Sequence, residues 1–584
     1  MDAANKSSDS AVDSDKQKVM TPPFLSRLIA PARTGGAGIA HRALRTLFVH
    51  PEWMGWICLV LALLFLFIQL GLSSELTIRG IWITSDTLYP VNVTTDVLKD
   101  GYSLSGWKFA IAPFWFPDLM STGFFWLVTR NVIMGTLLGG FVQIGLIVGA
   151  FHIIGKAVGT RNIHTQDAFL LAGGTLITLY VALYPGGYAH TQMLFLPQSH
   201  VGSMICVLYG WGMTLWFLRQ ELAGAKVSAW LMTAYGILCL LAGMSNVLFF
   251  AHMLVPVTAT AALLIFFGIM TIRQCWKPLT LGWVAAAIGP PLNRKLFNVT
   301  QVGAQSEVSQ ERVLTSLDVF MRGAVAKVLS GDIIHLIAIA WGGVCVAYIA
   351  WSLRRVVIEG RSSLSRSQIG LLTFSLISLI SAFCSAGAII LGGSNGLSLF
   401  KDYYWSTHYL HQVFFVPLFG LPAVLAWSLN YLRSDRVGRI VSWAVITGAL
   451  ALVLWRLVPS QWPATPIYAY RPPLVRFMDE VAREKGLRYG YAGYWQARPI
   501  TLLSRSGVRS YAVEGAMTPF LWVSNEEWYR ELQKDGGAPP KVDFVILDDP
   551  NFKLTREAAV QKFGAPLSEL QTQGTRILIY AKTP

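Results

Sequence analysis

Long apolar runs recur along this chain at about 55–73, 124–154, 168–184, 201–218, 229–246, 252–271, 278–290, 332–353, 369–393, 412–432 and 439–457. Most of them approach the roughly 20 residues that a helix needs to cross a bilayer. Inside hydrocarbon each backbone amide has to be satisfied within its own segment, so an apolar run of this length is read as helix. The expected fold is therefore a polytopic α-helical membrane protein of about eleven transmembrane helices. With 53% hydrophobic and 14% charged side chains in 584 residues, the chain carries more apolar surface than a water-soluble core of that size hides.

The loops between the runs test this topology, because Lys and Arg collect on the cytoplasmic side. Lys156 and Arg161, Arg219 and Lys226, Arg273 and Lys277, then Arg354, Arg355, Arg361 and Arg366, and finally Arg433, Arg436 and Arg439 fall in successive loops on one side. Loops around 185–200 and 245–251 on the other side hold neither residue. The same bias accounts for the net charge of +15 as a topology signal, so nucleic acid is not an expected partner. Residues 1–50, polar at first and then carrying Arg27, Arg33, Arg42 and Arg45, read as a disordered cytoplasmic tail before an uncleaved anchor. Residues 51–457 form the transmembrane part. An odd number of spans places 458–584 on the opposite, extracytoplasmic side. There an amphipathic helix over 474–485 and strands near 488–491, 542–547 and 576–581 predict a small α/β domain. The six cysteines lie in or beside apolar runs with no CxxC pair, which argues against a disulfide framework or a thiolate metal site.

Carboxylates are scarce in the membrane part, and most outward-facing ones fall in the first outer loop, about 74–123: Glu75, Asp86, Asp96, Asp100 and Asp118. Asp86 lies about a dozen residues after the first run, in Thr84-Ser85-Asp86-Thr87-Leu88-Tyr89-Pro90. A carboxylate held there among aromatic residues can serve as a general base towards a hydroxyl or hold a divalent cation; equally, its place suits a helix cap. Tyr89–Leu98 reads as an amphipathic helix lying in the interface, with Trp107 and Trp115 at headgroup depth. Asp96 and Asp100, four residues apart, read as its solvated face. Asp118, after Pro117, is a cap or a site residue. In the second outer loop His190 and His200 either bind a phosphate, shuttle a proton or make local hydrogen bonds. Arg294, Lys295, Arg312 and Arg322, and Lys401 before the tenth run, are basic groups on the outer side, suited to an anionic phosphate or to a solvated helix surface. The aromatic segments Tyr491–Trp495 and Pro519–Trp522 suit the core of the last domain better than a sugar-stacking platform.

A multi-span bundle, an acid soon after the first span, interfacial helices in the same loop and a soluble outer domain at the C-terminus together resemble the GT-C superfamily of membrane glycosyltransferases. The segment Ser406–His411 sits where such proteins often carry a Tyr/Arg motif. The resemblance implies a polyprenyl-phosphate-linked sugar as donor and an envelope glycan or lipid as acceptor, within the bacterial inner membrane and among membrane lipids. It implies Asp86 as the general base of an inverting displacement and Asp118 as a second acid; any divalent cation would be held by these two, and no other cofactor is implied. Asp118, His190, His200, Arg294, Lys401, His408 and Tyr409 are then the candidates for holding donor, acceptor and departing phosphate. The sequence departs from the pattern in two places: Asp86 stands beside Ser85 and Thr87 with no paired acid, and the later segment has His408-Tyr409 without an arginine. Two other readings stay open, a transporter or flippase of lipid-linked saccharide and a polymerase or ligase for surface polysaccharide.

Overall fold

The computed structural model describes residues 51–72, 83–110, 112–159, 163–183, 194–197, 200–297, 309–392, 410–431, 467–531, 542–547 and 552–580, with 444, 447, 448 and 451. Helix α1 (Pro51–Leu72) is followed by α2 (Ser85–Leu98) and the two-residue strand β1 (Trp107–Lys108). Helices α3 (Met120–Thr129), α4 (Val132–Val158), α5 (Ile163–Leu183), α6 (Val201–Leu222), α7 (Ala229–Ser245), α8 (Val255–Phe266) and α9 (Ile272–Leu296) come next. Then follow α10 (Gln310–Leu329), α11 (Ile333–Glu359), α12 (Arg366–Leu391) and α13 (His411–Tyr431). The first ten apolar runs thus fall on helix, and the last, 439–457, lies outside the described residues apart from four positions.

Among the described residues four helices are long and apolar enough to cross a membrane: Val132–Val158, Val201–Leu222, Ile333–Glu359 and Arg366–Leu391. Gly55–Leu66, Ala229–Ser245, Phe250–Phe266 and His411–Val424 are apolar but shorter. The expected count of about eleven spans is not met, for local reasons. The run at 124–154 is broken at Arg130, whose φ of 52° lies in the left-handed region, and at Asn131, which caps α4 by accepting from Met134 N. The run at 278–290 belongs to a helix of 25 residues that continues through Pro290 and Pro291, but it is diluted by Arg273, Lys277, Arg294 and Lys295.

Burial orders the bundle. Helix α6 is its centre, with 83% of its most apolar window buried; α11 is peripheral, with 22%. On α11 the side chains of Ile333, Leu336, Ile339, Val346, Trp351 and Val357 are exposed, an apolar surface that water does not tolerate and lipid does. Close contact between α7 and α9 depends on glycine: a Cβ on Gly243 would stand 2.5 Å from the Ala286 carbonyl oxygen, and one on Gly289 would stand 2.6 Å from Met244 N. The bundle has two chemically distinct ends. At one, Arg219 donates to the Lys156 carbonyl and Lys277 Nζ lies 2.9 Å from Glu221 Oε1. At the other, Phe114 N donates to Ser245 O and Trp115 Nε1 to Asn293 Oδ1.

The C-terminal region begins its regular structure with α14 (Pro473–Lys485), then β2 (Tyr489–Ala492), α15 (Tyr494–Leu503), β3 (Arg509–Glu514), β4 (Thr518–Pro519), β5 (Ser524–Asn525), α16 (Glu526–Glu531), β6 (Phe544–Ile546), α17 (Arg556–Phe563), β7 (Ser568–Thr572) and β8 (Thr575–Ile579). One six-stranded sheet has the order β4-β3-β2-β6-β8-β7. Strand β2 pairs in parallel with β3 and β6, while β8 runs antiparallel to both β6 and β7. The parallel step from β2 to β3 needs a crossover, which α15 supplies. That requirement brings α15 to the face of the sheet that meets α2.

Candidate functional site at the junction of the first loop and the sheet

Helix α2 begins where Thr84 and Thr87 form a reciprocal capping box, each side chain bonding the other's backbone amide. The cap is therefore Thr84, and the capping role considered for Asp86 falls away. Asp86 sits in the first turn, where exposed amide groups and the helix dipole favour a negative charge. Its carboxylate is only partly buried, whereas Ser85 and the residues from Thr87 to Asp96 are buried.

The cover comes from α15. The Tyr494 hydroxyl donates to Asp86 Oδ1 at 2.5 Å. Ser85 Oγ donates to the Tyr494 carbonyl, and Arg498 Nη1 donates to the Ser85 carbonyl. Arg498 is 5% exposed; its Nη2 donates to Val523 O and its Nη1 reaches the Tyr494 hydroxyl at 3.4 Å. The guanidinium lies 5.3 Å from the Tyr494 ring centre and 5.7 Å from that of Tyr89, a cation held between two π faces. Burial raises the Asp86 carboxyl above its usual range, against the Tyr494 hydrogen bond and the Arg498 charge, which both pull it down. Tyr494 itself packs on Phe520 and Trp522, with ring centres 5.6 and 5.3 Å away. This agrees with the core reading of the aromatic segments.

A second group of contacts overturns the solvated-face reading for Asp96, while Asp100, past the end of α2, is exposed as expected. Asp96 is 2% exposed; its Oδ2 accepts from Trp528 Nε1 at 2.8 Å and from Asn525 Nδ2 at 3.4 Å. Asp100 Oδ2 pairs with Arg509 at 2.7 Å. Strand β1 then pairs antiparallel with β5, Trp107 opposite Asn525 and Lys108 opposite Ser524, and Lys108 bridges to Glu526 at 2.9 Å. Trp107 is fully buried between Tyr89, Phe109 and Trp528. The surfaces of α2 and Trp107 expected to face lipid headgroups are instead covered by β5 and Trp528.

The remaining expected site residues fall in different places. Asp118 is 1% exposed, accepts from Gln143 Nε2 at 3.0 Å and abuts Gly202 of α6. No described residue bonds both Asp118 and Asp86, and no group of three His, Cys, Asp or Glu side chains able to hold a metal ion occurs among the described residues. No chemistry is assigned to a metal there. His200, at the start of α6 with φ of 64°, accepts from Asn246 Nδ2 at 2.8 Å and meets the Phe114 ring edge-on. Arg294 is exposed near the end of α9. His190, Lys401, His408 and Tyr409 lie outside the described residues.

Three buried histidines stand at the starts of helical segments: His252 and His335, not singled out from the sequence, and His411, the end of the Ser406–His411 segment. His335 Nδ1 is 3.0 Å from Asp332 Oδ1. The signal for them was a polar ring inside or beside an apolar run. The signal for Tyr494 and Arg498 was weaker still, an arginine inside an otherwise apolar helix.

No protein-family model matches this chain, and no curated protein matches it.

Proposed function

We propose that this chain is an integral membrane glycosyltransferase of the GT-C kind, moving a sugar from a polyprenyl-phosphate donor to an acceptor outside the cytoplasm. The observation that carries the reading is Asp86: a partly exposed carboxylate whose affinity for protons is raised by burial. It stands beyond the end of the first apolar helix and is seated where bundle and sheet meet. A carboxylate so placed accepts the proton of an acceptor hydroxyl as that oxygen attacks the anomeric carbon, and a raised proton affinity makes it a better base near neutral pH. The sugar–phosphate C–O bond breaks as the new C–O bond forms, the lipid phosphate leaves with the electron pair, and a single displacement inverts the anomeric centre. Arg294, exposed at the same end of the bundle as Asn293 and Trp115, and His200 are the described groups suited to the phosphate charge.

The proposed setting is a bacterial inner membrane with the C-terminal region outside the cytoplasm. What supports it is the segregation already described: Lys156, Arg219 and Lys277 gather at the bundle end away from the sheet, as cytoplasmic ends do. A second reading, a transporter of lipid-linked saccharide, draws on the pair His152–Asp167, 2.7 Å apart between α4 and α5, since ionisable pairs between apolar helices often serve transport. The deciding measurement is transfer of labelled sugar from polyprenyl-phosphate donors by wild type and by Asp86→Asn, matched for thermal stability. Loss of about 100-fold or more in the variant supports the enzyme with Asp86 as base; equal transfer removes that role. Movement of lipid-linked sugar across vesicles with no transfer from any donor supports the transporter.

A further inference from the structure

We infer that Tyr494 and Arg498 are positioning residues that hold the Asp86 carboxylate for reaction, so that the C-terminal region is a working part of the site and not an appendage to the bundle. This rests on the reading of Asp86 as the base and carries it further. Among the described residues Tyr494 is the one side chain that donates to Asp86, and it uses Oδ1 alone. One oxygen is fixed and the other, Oδ2, is left to meet a substrate hydroxyl.

Three features make the arrangement more than an interdomain contact. The first is that Arg498 is buried without a direct carboxylate partner among the described residues, and its Nε has no hydrogen-bond partner there. A buried guanidinium is costly unless an anion answers it, and the anion acting on this site is Asp86, with the Tyr494 hydroxyl between them. The second is that the clamp grips backbone as well as side chain: Arg498 binds the Ser85 carbonyl and Ser85 binds the Tyr494 carbonyl. The turn carrying Asp86 is thereby pinned through Ser85, the residue before it, by backbone and side chain together, and reactive groups need that kind of support to keep their geometry. The third is that Arg498 also binds Val523 O, immediately before β5, the strand that pairs with β1 of the first loop. The cation thus joins the clamp to the second point where the sheet holds the loop.

Tyr494→Phe tests this, because it keeps the ring packed on Phe520 and Trp522 and removes only the hydroxyl. Phe520→Leu is the packing control, loosening the same ring cluster without touching Asp86. The first readout is infrared titration of the Asp86 carboxyl in the purified full chain, its band assigned by disappearance in Asp86→Asn. Loss of the hydrogen bond to the charged form moves the protonation midpoint up by about one pH unit in Tyr494→Phe, with no movement in Phe520→Leu. An unchanged midpoint in Tyr494→Phe, or an equal shift in both variants, overturns the inference. The second readout is transfer from a polyprenyl-phosphate sugar: kcat falls roughly 10- to 100-fold in Tyr494→Phe with KM for the donor unchanged, and the acidic limb of the rate profile moves with the infrared midpoint. A rise in KM at constant kcat overturns it. If wild type transfers no sugar from any donor, the glycosyltransferase reading fails, while the infrared titration, with Arg498→Lys added as a fourth variant expected to raise the midpoint as well, still decides whether Tyr494 and Arg498 govern Asp86.

Discussion

Raising the pH from about 4 to 7 should loosen the hold of the sheet on the first loop, and Asp96 sets the size of the effect. Burial pushes its carboxyl from the ordinary carboxylate range up to about 7, although the Asn525 and Trp528 donors and the Arg509 charge pull it down and the Asp100 charge adds to the rise. When the loop detaches, Asp96 returns to water and to an ordinary carboxylate value. Between about pH 4 and 7 the docked state therefore holds a proton that the detached state has lost, so stability is fully present below about 4, declines as pH rises, and is flat above about 7. A difference of about 3 pH units corresponds to ~4 kcal/mol at 1.36 kcal/mol per unit. Asp96→Asn keeps an acceptor for Trp528 Nε1 and removes the titration; its stability should show no slope from this source and should equal or exceed that of wild type at pH 7.5. The assay is hydrogen exchange at the amides of Lys108 and Ser524, residues paired across β1 and β5, in the detergent-solubilised chain at several pH values, corrected for intrinsic exchange. Protection that does not change from pH 4.5 to 7 in wild type, or that changes equally in Asp96→Asn, refutes the reasoning.

Asp479 should behave in the opposite sense. Burial alone would raise it, but hydrogen bonds from Ser504, Ser506 and the Arg505 amide bring it down to about 2, so its stabilisation is present above about pH 4 and is lost as pH falls towards 2; acid unfolding of the C-terminal region, followed by tryptophan fluorescence, should shift to higher pH in Asp479→Asn. Gly289→Ala should force α9 away from the Met244 amide and cost about 1–3 kcal/mol, read as a lower midpoint of thermal unfolding in detergent, while the same change at Gly342, which has open space around its Cβ position, should cost less. Glu221→Gln removes an ion pair with a Lys277 side chain that is 41% exposed and should change stability by less than ~1 kcal/mol, measured in the same melt.

The helices of the bundle were legible because apolar runs dominate any local competition, and the helix over 474–485 and the strands near 488–491, 542–547 and 576–581 appear within a few residues of their expected places. The number of spans was not, because hydropathy does not register a break such as Arg130-Asn131 or the difference between a long apolar helix and one shortened by turns. Asp86 stood out as a rare acid in an aromatic loop. Its partners did not, since Tyr494 and Arg498 meet α2 only through contacts 408 and 413 residues apart in sequence, and no local pattern encodes them. Asp96 shows the same blindness. Its four-residue spacing from Asp100 suggested one solvated helix face, but α2 ends at Leu98 and leaves Asp100 exposed beyond it, while Asp96 is buried by residues more than 400 positions later in sequence.

That separation also has a consequence for how the chain is made. Asp96 and Trp528 are 432 residues apart, and at synthesis rates of about 5–20 residues per second the ribosome needs roughly 20–90 s to travel from one to the other. Throughout that interval the nascent first loop has its α2 face and its β1 edge without their partner, while helix after helix enters the bilayer. The loop is thus the earliest element of the junction to be born and among the last to be completed, and a nascent chain released before Trp528 would present Trp107, Asp96 and an open strand edge to whatever stands watch over misfolded membrane proteins.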